Sequence, residues 1–383
     1  MSYKIFKDKK INHLEQPMFF GEGVNTARYD IVKYPYLDKL IDKQLEQFWR
    51  PEEINITKDI SDWKKLTESE KHIFVSNLKR QTLLDSIQGR GPNIALLPVV
   101  SVPELETWVE NWGMNETIHS RSYTYILKNL FSEPDKIFDG IMDIPEIVRC
   151  SKQISKYYDD FIEFSSYYNL LGLGKFEIKD ENGNSKKINI TKKKLKQKLV
   201  KLIATINALE GVRFYVSFAC SWSFAERELM EGNAKIIRLI CRDENLHLAS
   251  TQYLLNSLKD NPEYEDIWKE VLPDIYAIYD EAVNDEKAWA KYLFKYDSMI
   301  GLNEKILGNF VEWIANKRLE AIGLEPRYKC QENPIPWVNK WISQKGESSS
   351  VQVAPQETEI NSYLIGAVLQ DVTEESFKDF KLD

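Results

Sequence analysis

Glu-x-x-His occurs twice in this chain, at Glu116/His119 and at Glu244/His247. The chain has only four histidines in 383 residues, so half of them fall in one pattern. Three residues along an α-helix is almost one full turn. Each pair therefore projects a carboxylate and an imidazole from the same helical face. An isolated Glu-x-x-His is ordinarily an exposed helix pair, so the setting has to decide between that and a site.

The setting is apolar. One stripe runs through Phe74, Leu78, Gln81 and Asp85, and a second through Leu105, Trp108, Trp112, Glu116, His119 and Tyr123. A third holds Ile203, Ile206, Glu210, Phe214 and Phe218, and a fourth Ile236, Ile240, Glu244, His247 and Thr251. All keep steps of three or four, and each is interrupted only by acids, imidazoles and a few polar groups. A lone carboxylate in such a stripe is costly to bury unless something offsets its charge. Asp85 or Glu210 alone reads as a salt-bridged residue at the edge of a core. Together, Asp85, Glu116, His119, Glu210, Glu244 and His247 match the layout in which two bundle helices each give Glu-x-x-His and two others each give a carboxylate, around two metal ions. Four carboxylates balance two divalent cations. Oxygen-rich ligation with one imidazole per metal suits iron or manganese better than copper(I) or zinc. His13 and His72 lack such partners and are expected at the solvent side or the core edge.

Tyr123 follows His119 by four and shares its face. By position it is equally a core aromatic. Phe214, Phe218 and Ile240 on the facing stripes would enclose it in a dry pocket, where an oxidised phenol could persist.

The periodicity predicts an all-α body with helices over 37–48, 68–88, 103–130, 147–171, 191–224, 228–257, 265–294 and 304–322. KFEIKDENGNSKKINI between two of them reads as one small hairpin turning at Asn182-Gly183. Residues 1–35 read as irregular. Residues 346–383 read as a separate mobile tail after a GESSS hinge, with eight acids and two lysines, net −6. That tail carries much of the formal −8. The body is therefore nearly neutral, which speaks against a nucleic-acid groove or an anionic membrane as partner. There is no run long enough to span a membrane and no signal-peptide pattern. The four cysteines, Cys150, Cys220, Cys241 and Cys330, show no C-x-x-C. A reducing, cytoplasmic setting is expected.

With these residues placed, the chain closely resembles the small, radical-generating subunit of class Ia ribonucleotide reductase. The stretches EQPMFFGEGVNTARYD, EQFWRPEEI, LLDSIQGRGPN, ETIHSRSYT, NALEGVRFYVSFACS, RDENLH and VQVAPQETEINSYLIG carry the likeness from end to end. The resemblance implies a ferritin-like homodimer over 1–345, holding two iron ions per chain (manganese is the alternative) on the six residues above. It implies an O2-derived oxo bridge and a stable radical on Tyr123 within a pocket of Phe214, Phe218 and Ile240. It also implies radical transfer through Trp49, His119 and Asp243, then through Tyr363 with Glu357, to a large subunit bound by the tail. That subunit would reduce ribonucleoside diphosphates. Without the resemblance, Trp49 is a core aromatic, Asp243 a surface acid and Tyr363 a tail residue. Cys241 and Asn245 depart from the small residues expected beside the second Glu-x-x-His, and a thiol there is either oxidation-sensitive or inert packing. Rival readings are a di-iron oxidase with its own organic substrate, a ferritin-type iron store and a metal-free scaffold bundle. The first needs neither the tail nor Tyr363, and the second is usually a much shorter bundle with no aromatic relay.

Overall fold

The computed structural model describes residues 4–179 and 183–342. Glu357 and Tyr363, with all of 346–383, lie outside the described residues, as does Asn182 of the expected hairpin turn. The helices in chain order are α1 (Pro35–Glu46), α2 (Thr57–Trp63), α3 (Glu68–Gln88), α4 (Gly91–Leu96), α5 (Pro103–Leu130), α6 (Pro134–Asp139) and α7 (Pro145–Leu171). A hairpin of β1 (Gly174–Lys179) and β2 (Ser185–Ile190) follows. Then come α8 (Lys192–Ala208), α9 (Tyr215–Ala225), α10 (Glu231–Lys259), α11 (Glu265–Leu293), α12 (Glu304–Ala321) and α13 (Asn339–Ile342).

Proline at the first turn starts α1, α5, α6 and α7, where a missing N–H costs nothing. α3 starts with a capping box: Thr67 accepts from the Glu70 N–H, and the Glu70 carboxylate accepts from the Thr67 N–H. α10 is capped from a distance. Its Gly232 and Asn233 N–H groups donate to Asp59 of α2 at 3.0 and 2.7 Å, and Met230 N–H donates to Asp62. β1 and β2 pair antiparallel from Gly174↔Ile190 to Lys179↔Ser185. Ile188 and Ile190 pack with Phe164 of α7 and Leu195 of α8, which ties the hairpin to the bundle.

The long helices build the core. α3 packs on α5, α10 on α8 and α9, and α11 on α8 and α12. Trp108, Trp112, Trp222 and Trp289 are fully buried between them. The expected helices over 68–88 and 103–130 are observed as such. The expected single helix over 191–224 is not: a π-helical turn, Leu209–Arg213, separates α8 from α9. The short α2, α4 and α6 were not expected. Among the described residues no helix is long and apolar enough to cross a membrane.

Candidate metal centre

Asp85 comes from α3, Glu116 and His119 from α5, Glu210 from the π-helical turn, and Glu244 and His247 from α10. All six side chains are fully buried. They converge as two overlapping groups, Asp85/Glu116/His119/Glu244 and Glu116/Glu210/Glu244/His247. Within each group the donor atoms lie within 4.8 Å of one another. Glu116 and Glu244 belong to both groups, as bridging carboxylates would. His119 Nδ1 lies 3.3 Å from both Glu116 Oε2 and Glu244 Oε1. His247 Nδ1 lies 2.9 Å from Glu116 Oε1 and 3.0 Å from Glu244 Oε2. One imidazole thus serves each group, through the same ring nitrogen.

The electrostatics call for cations. Burial, with the charge of Glu116, drives the Asp85 carboxyl far above its usual range. Burial and the charges of Glu244 and Glu116 do the same to Glu210. Burial and Glu116 push Glu244 up to about 8. Glu116 goes the other way: against burial, the His247 and His119 imidazoles hold it down at about 2. Glu116 Oε2, Glu210 Oε2, Glu244 Oε1 and His119 Nδ1 are buried with no hydrogen-bond partner among the described residues. Buried polar atoms are ordinarily paired. Several orphaned donor atoms facing one another are what two bound cations would satisfy, so this donor set fits a dinuclear metal site.

The outer nitrogens of the two imidazoles are held differently. His119 Nε2 lies 3.2 Å from Asp243 Oδ2, and Trp49 Nε1 donates to that same oxygen at 2.7 Å. Asp243 is therefore a buried acid rather than a surface one. Burial opposes its ionisation, yet the hydrogen bond with His119 and the Arg242 charge keep its pKa below the usual range. His247 Nε2 lies 3.0 Å from the Gln44 amide, Nε2 to Nε2, while Gln44 Oε1 is unpartnered. With a metal bound at Nδ1, Nε2 would carry the proton, and turning the amide over would let Oε1 accept it.

Tyr123 is fully buried beside this cluster. Burial, then the charge of Asp85 and a side-chain hydrogen bond to it, raises its phenol far above the ordinary range. Phe214, Phe218 and Ile240 are also fully buried, and the two Phe rings stack at 5.7 Å. Cys241 is buried, and burial pushes its thiol up to about 12, which makes it a poor nucleophile. Asn245 Oδ1 lies 3.4 Å from the Tyr215 hydroxyl. His13 bonds the Ile31 carbonyl and His72 the Tyr292 carbonyl, both apart from the cluster.

Three polar contacts to the cluster escaped the sequence reading. Trp112 Nε1 donates to Glu116 Oε1 at 2.9 Å, Gln88 Nε2 donates to Glu210 Oε1, and Gln44 meets His247. Gln88 had a signal, since it follows Asp85 by three on one helix. Gln44 had one too, as an amide in line with Leu37 and Leu40.

A helical bundle whose core converges two carboxylate-histidine groups on shared carboxylates defines the dinuclear carboxylate class. Residues 28–334 match the family described as "Ribonucleotide reductase, small chain". The chain is 54% identical to the ribonucleoside-diphosphate reductase subunit beta of Buchnera aphidicola subsp. Baizongia pistaciae, over all of both chains. It is 51% identical to the ribonucleoside-diphosphate reductase 1 subunit beta of Escherichia coli O157:H7, again over all of both. The ribonucleotide reductase R2 subunit from Clostridium botulinum superposes with a TM-score of 0.74 at 25% identity, over 90% of this chain and 99% of that one. The chain belongs to the ribonucleotide reductase small-subunit family, class I, with the ferritin-like helical fold of that family's R2 proteins. Its activity is that of a subunit, exercised with a large subunit.

Proposed function

We propose that Asp85, Glu116, His119, Glu210, Glu244 and His247 hold two iron ions per chain, and that the loaded centre serves to place a stable radical on Tyr123. The carrying observation is the sharing of Glu116 and Glu244 between two four-residue groups. Manganese is the alternative that the same donor set accepts. When bound, the metal pair would supply oxidising power drawn from dioxygen. The protein's part is positional. Tyr123 enters as a neutral phenol, so its proton must leave with its electron, and the Asp85 carboxylate is the group whose charge it feels most. The buried Phe214, Phe218 and Ile240 keep water and reductants away.

The hydrogen-bonded series Trp49–Asp243–His119 supports a route from the centre for electron and proton. The route continues to Tyr363, assisted by Glu357, and on to the large subunit, where ribonucleoside diphosphates are reduced. The tail over 346–383 is the proposed docking segment, and two copies of the chain form the working subunit. Exposed Ile94 of α4 and Met114 of α5 are large apolar side chains of the kind a subunit interface covers.

Iron loading under air, followed by electron paramagnetic resonance, tests this reading. A tyrosyl signal with two irons per chain is expected, and Glu244→Ala should lose most of the metal. Full iron with an unchanged spectrum in that variant would refute the ligand set.

A further inference from the structure

The chain leaves α3 through Gln88-Gly89-Arg90-Gly91-Pro92. Gln88 is fully buried one helical turn beyond Asp85. Its carboxamide spans two other buried groups. The Tyr158 hydroxyl, from α7, donates to Gln88 Oε1 at 2.6 Å, and Gln88 Nε2 donates to Glu210 Oε1. Chemistry fixes the direction of this relay. Burial, then the charges of Glu210 and Glu116, holds the Tyr158 phenol protonated, so it is a donor. As a metal ligand Glu210 is a carboxylate and only accepts, and a reversed amide would set its oxygen against that of Glu210. The backbone makes room for the relay: a Cβ at Gly91 would stand 2.6 Å from Tyr158 Cζ, so the ring fits only over a glycine.

Glu210 needs such a restraint more than the other ligands do. It projects from a π-helical turn, whereas the other five stand on regular α-helices. Its second oxygen, Oε2, has no hydrogen-bond partner among the described residues and lies 4.0 Å from His247 Nδ1. We propose that Tyr158 and Gln88 are positioning residues that occupy Glu210 Oε1, leaving Oε2 alone to bind the metal of the His247 group. The proposal rests on the ligand reading above. It adds that Glu210 binds through one oxygen because the other is already engaged, and that the Gly-containing turn after α3 exists to seat Tyr158.

Anaerobic titration of the full-length chain with Mn(II) alone, followed by the resonance of free and bound manganese, tests this. Gln88→Met keeps the volume and removes the donor. The equivalent bound at the His247 group should weaken by about tenfold or more, with the other equivalent unchanged. Tyr158→Phe, which frees the amide to turn, should weaken the same equivalent by a smaller factor and change the bound-manganese spectrum. Unchanged affinity for both equivalents and an unchanged spectrum in Tyr158→Phe and Gln88→Met overturns the proposal. If Gln88→Met does not fold, Tyr158→Phe decides alone. Glu210→Ala separates the two levels of inference. If it loses that equivalent while Gln88→Met keeps it, only the relay is wrong; if Glu210→Ala keeps it, the ligand reading fails.

Discussion

Tyr123 differs from the other buried tyrosines in what its hydroxyl meets. Tyr158 donates to Gln88 and Tyr279 to Asn207, whereas the Tyr123 phenol faces the Asp85 carboxyl of the metal cluster. Tyr123→Phe removes one buried hydroxyl whose neighbour is the Asp85 carboxyl, so it should change unfolding free energy by only about 1 kcal/mol. The same variant should load metal normally, show no tyrosyl resonance and support no turnover with the large subunit. Turnover at the wild-type rate would make Tyr123 an ordinary core aromatic. Phe214→Tyr is the converse probe: a second phenol in the pocket should divert oxidation and lower the Tyr123 radical yield, and an undiminished yield would place Phe214 away from the path. The six cluster residues were legible in the sequence because a charge in an apolar stripe stands out at any scale of reading. Trp49 and Asp243 were legible only by resemblance. Their partnership depends on α1 and the chain after it lying against α10, and no periodicity within one helix reports a contact across nearly 200 positions.

Helix ends give a second kind of test. α10 carries Asp243, Glu244 and His247, and its first N–H groups are capped by Asp59 of the short α2. Asp59→Ala leaves two buried donors unpaired, at a cost of about 2 kcal/mol or more. Thermal melts should show that loss, with metal content falling in parallel because the helix start sets the register of three site residues. Equal melting temperatures would mean that the cap is dispensable. At the start of α3, burial opposes ionisation of Glu70, but the Thr67 N–H and the Arg227 guanidinium hold its carboxyl below the usual range. A depressed carboxyl contributes stability above the ordinary glutamate range and loses it as pH falls through the depressed value. Glu70→Gln should therefore melt lower than wild type at neutral pH by about 1 kcal/mol of stability, with the gap closing in acid. A gap constant with pH would exclude the charge as its source. The long helices were readable because their apolar spacing and first-turn prolines agree. The π-helical turn was not. Ile203, Ile206, Glu210, Phe214 and Phe218 keep steps of three and four straight through it, so the pattern is that of one unbroken helix. α2 escaped for the opposite reason: its seven residues are too few to set up a period, and its buried acids mimic a surface turn.

At the scale of the whole molecule, the centre and the substrate are on different proteins, so a radical formed in this bundle must cross a subunit boundary. The buried centre offers no direct exit: Trp49, Asp243 and His119 are all almost wholly enclosed. On the proposed route, a residue at the chain's surface completes the path. Residues 346–383 have the composition for docking, with eight acids, two lysines and Phe377, Phe380 and Leu382 spaced near the end. A short segment of that kind binds by laying its apolar side chains in a groove on the partner, and its affinity is moderated by the entropy of ordering. Docking and transfer are then separable. A peptide copying 374–383 should inhibit the assembled enzyme by competing for the groove, measured as lost turnover that excess small subunit restores. Tyr363→Phe should leave both the Tyr123 resonance and the competition constant unchanged while abolishing turnover, because it removes an oxidisable phenol and no docking contact. A peptide that fails to compete at large excess would show that the chain end is not the anchor. Normal turnover in Tyr363→Phe would show that the radical leaves the bundle by another residue, and Trp49–Asp243–His119 would then have to be read as support for the His119 imidazole alone.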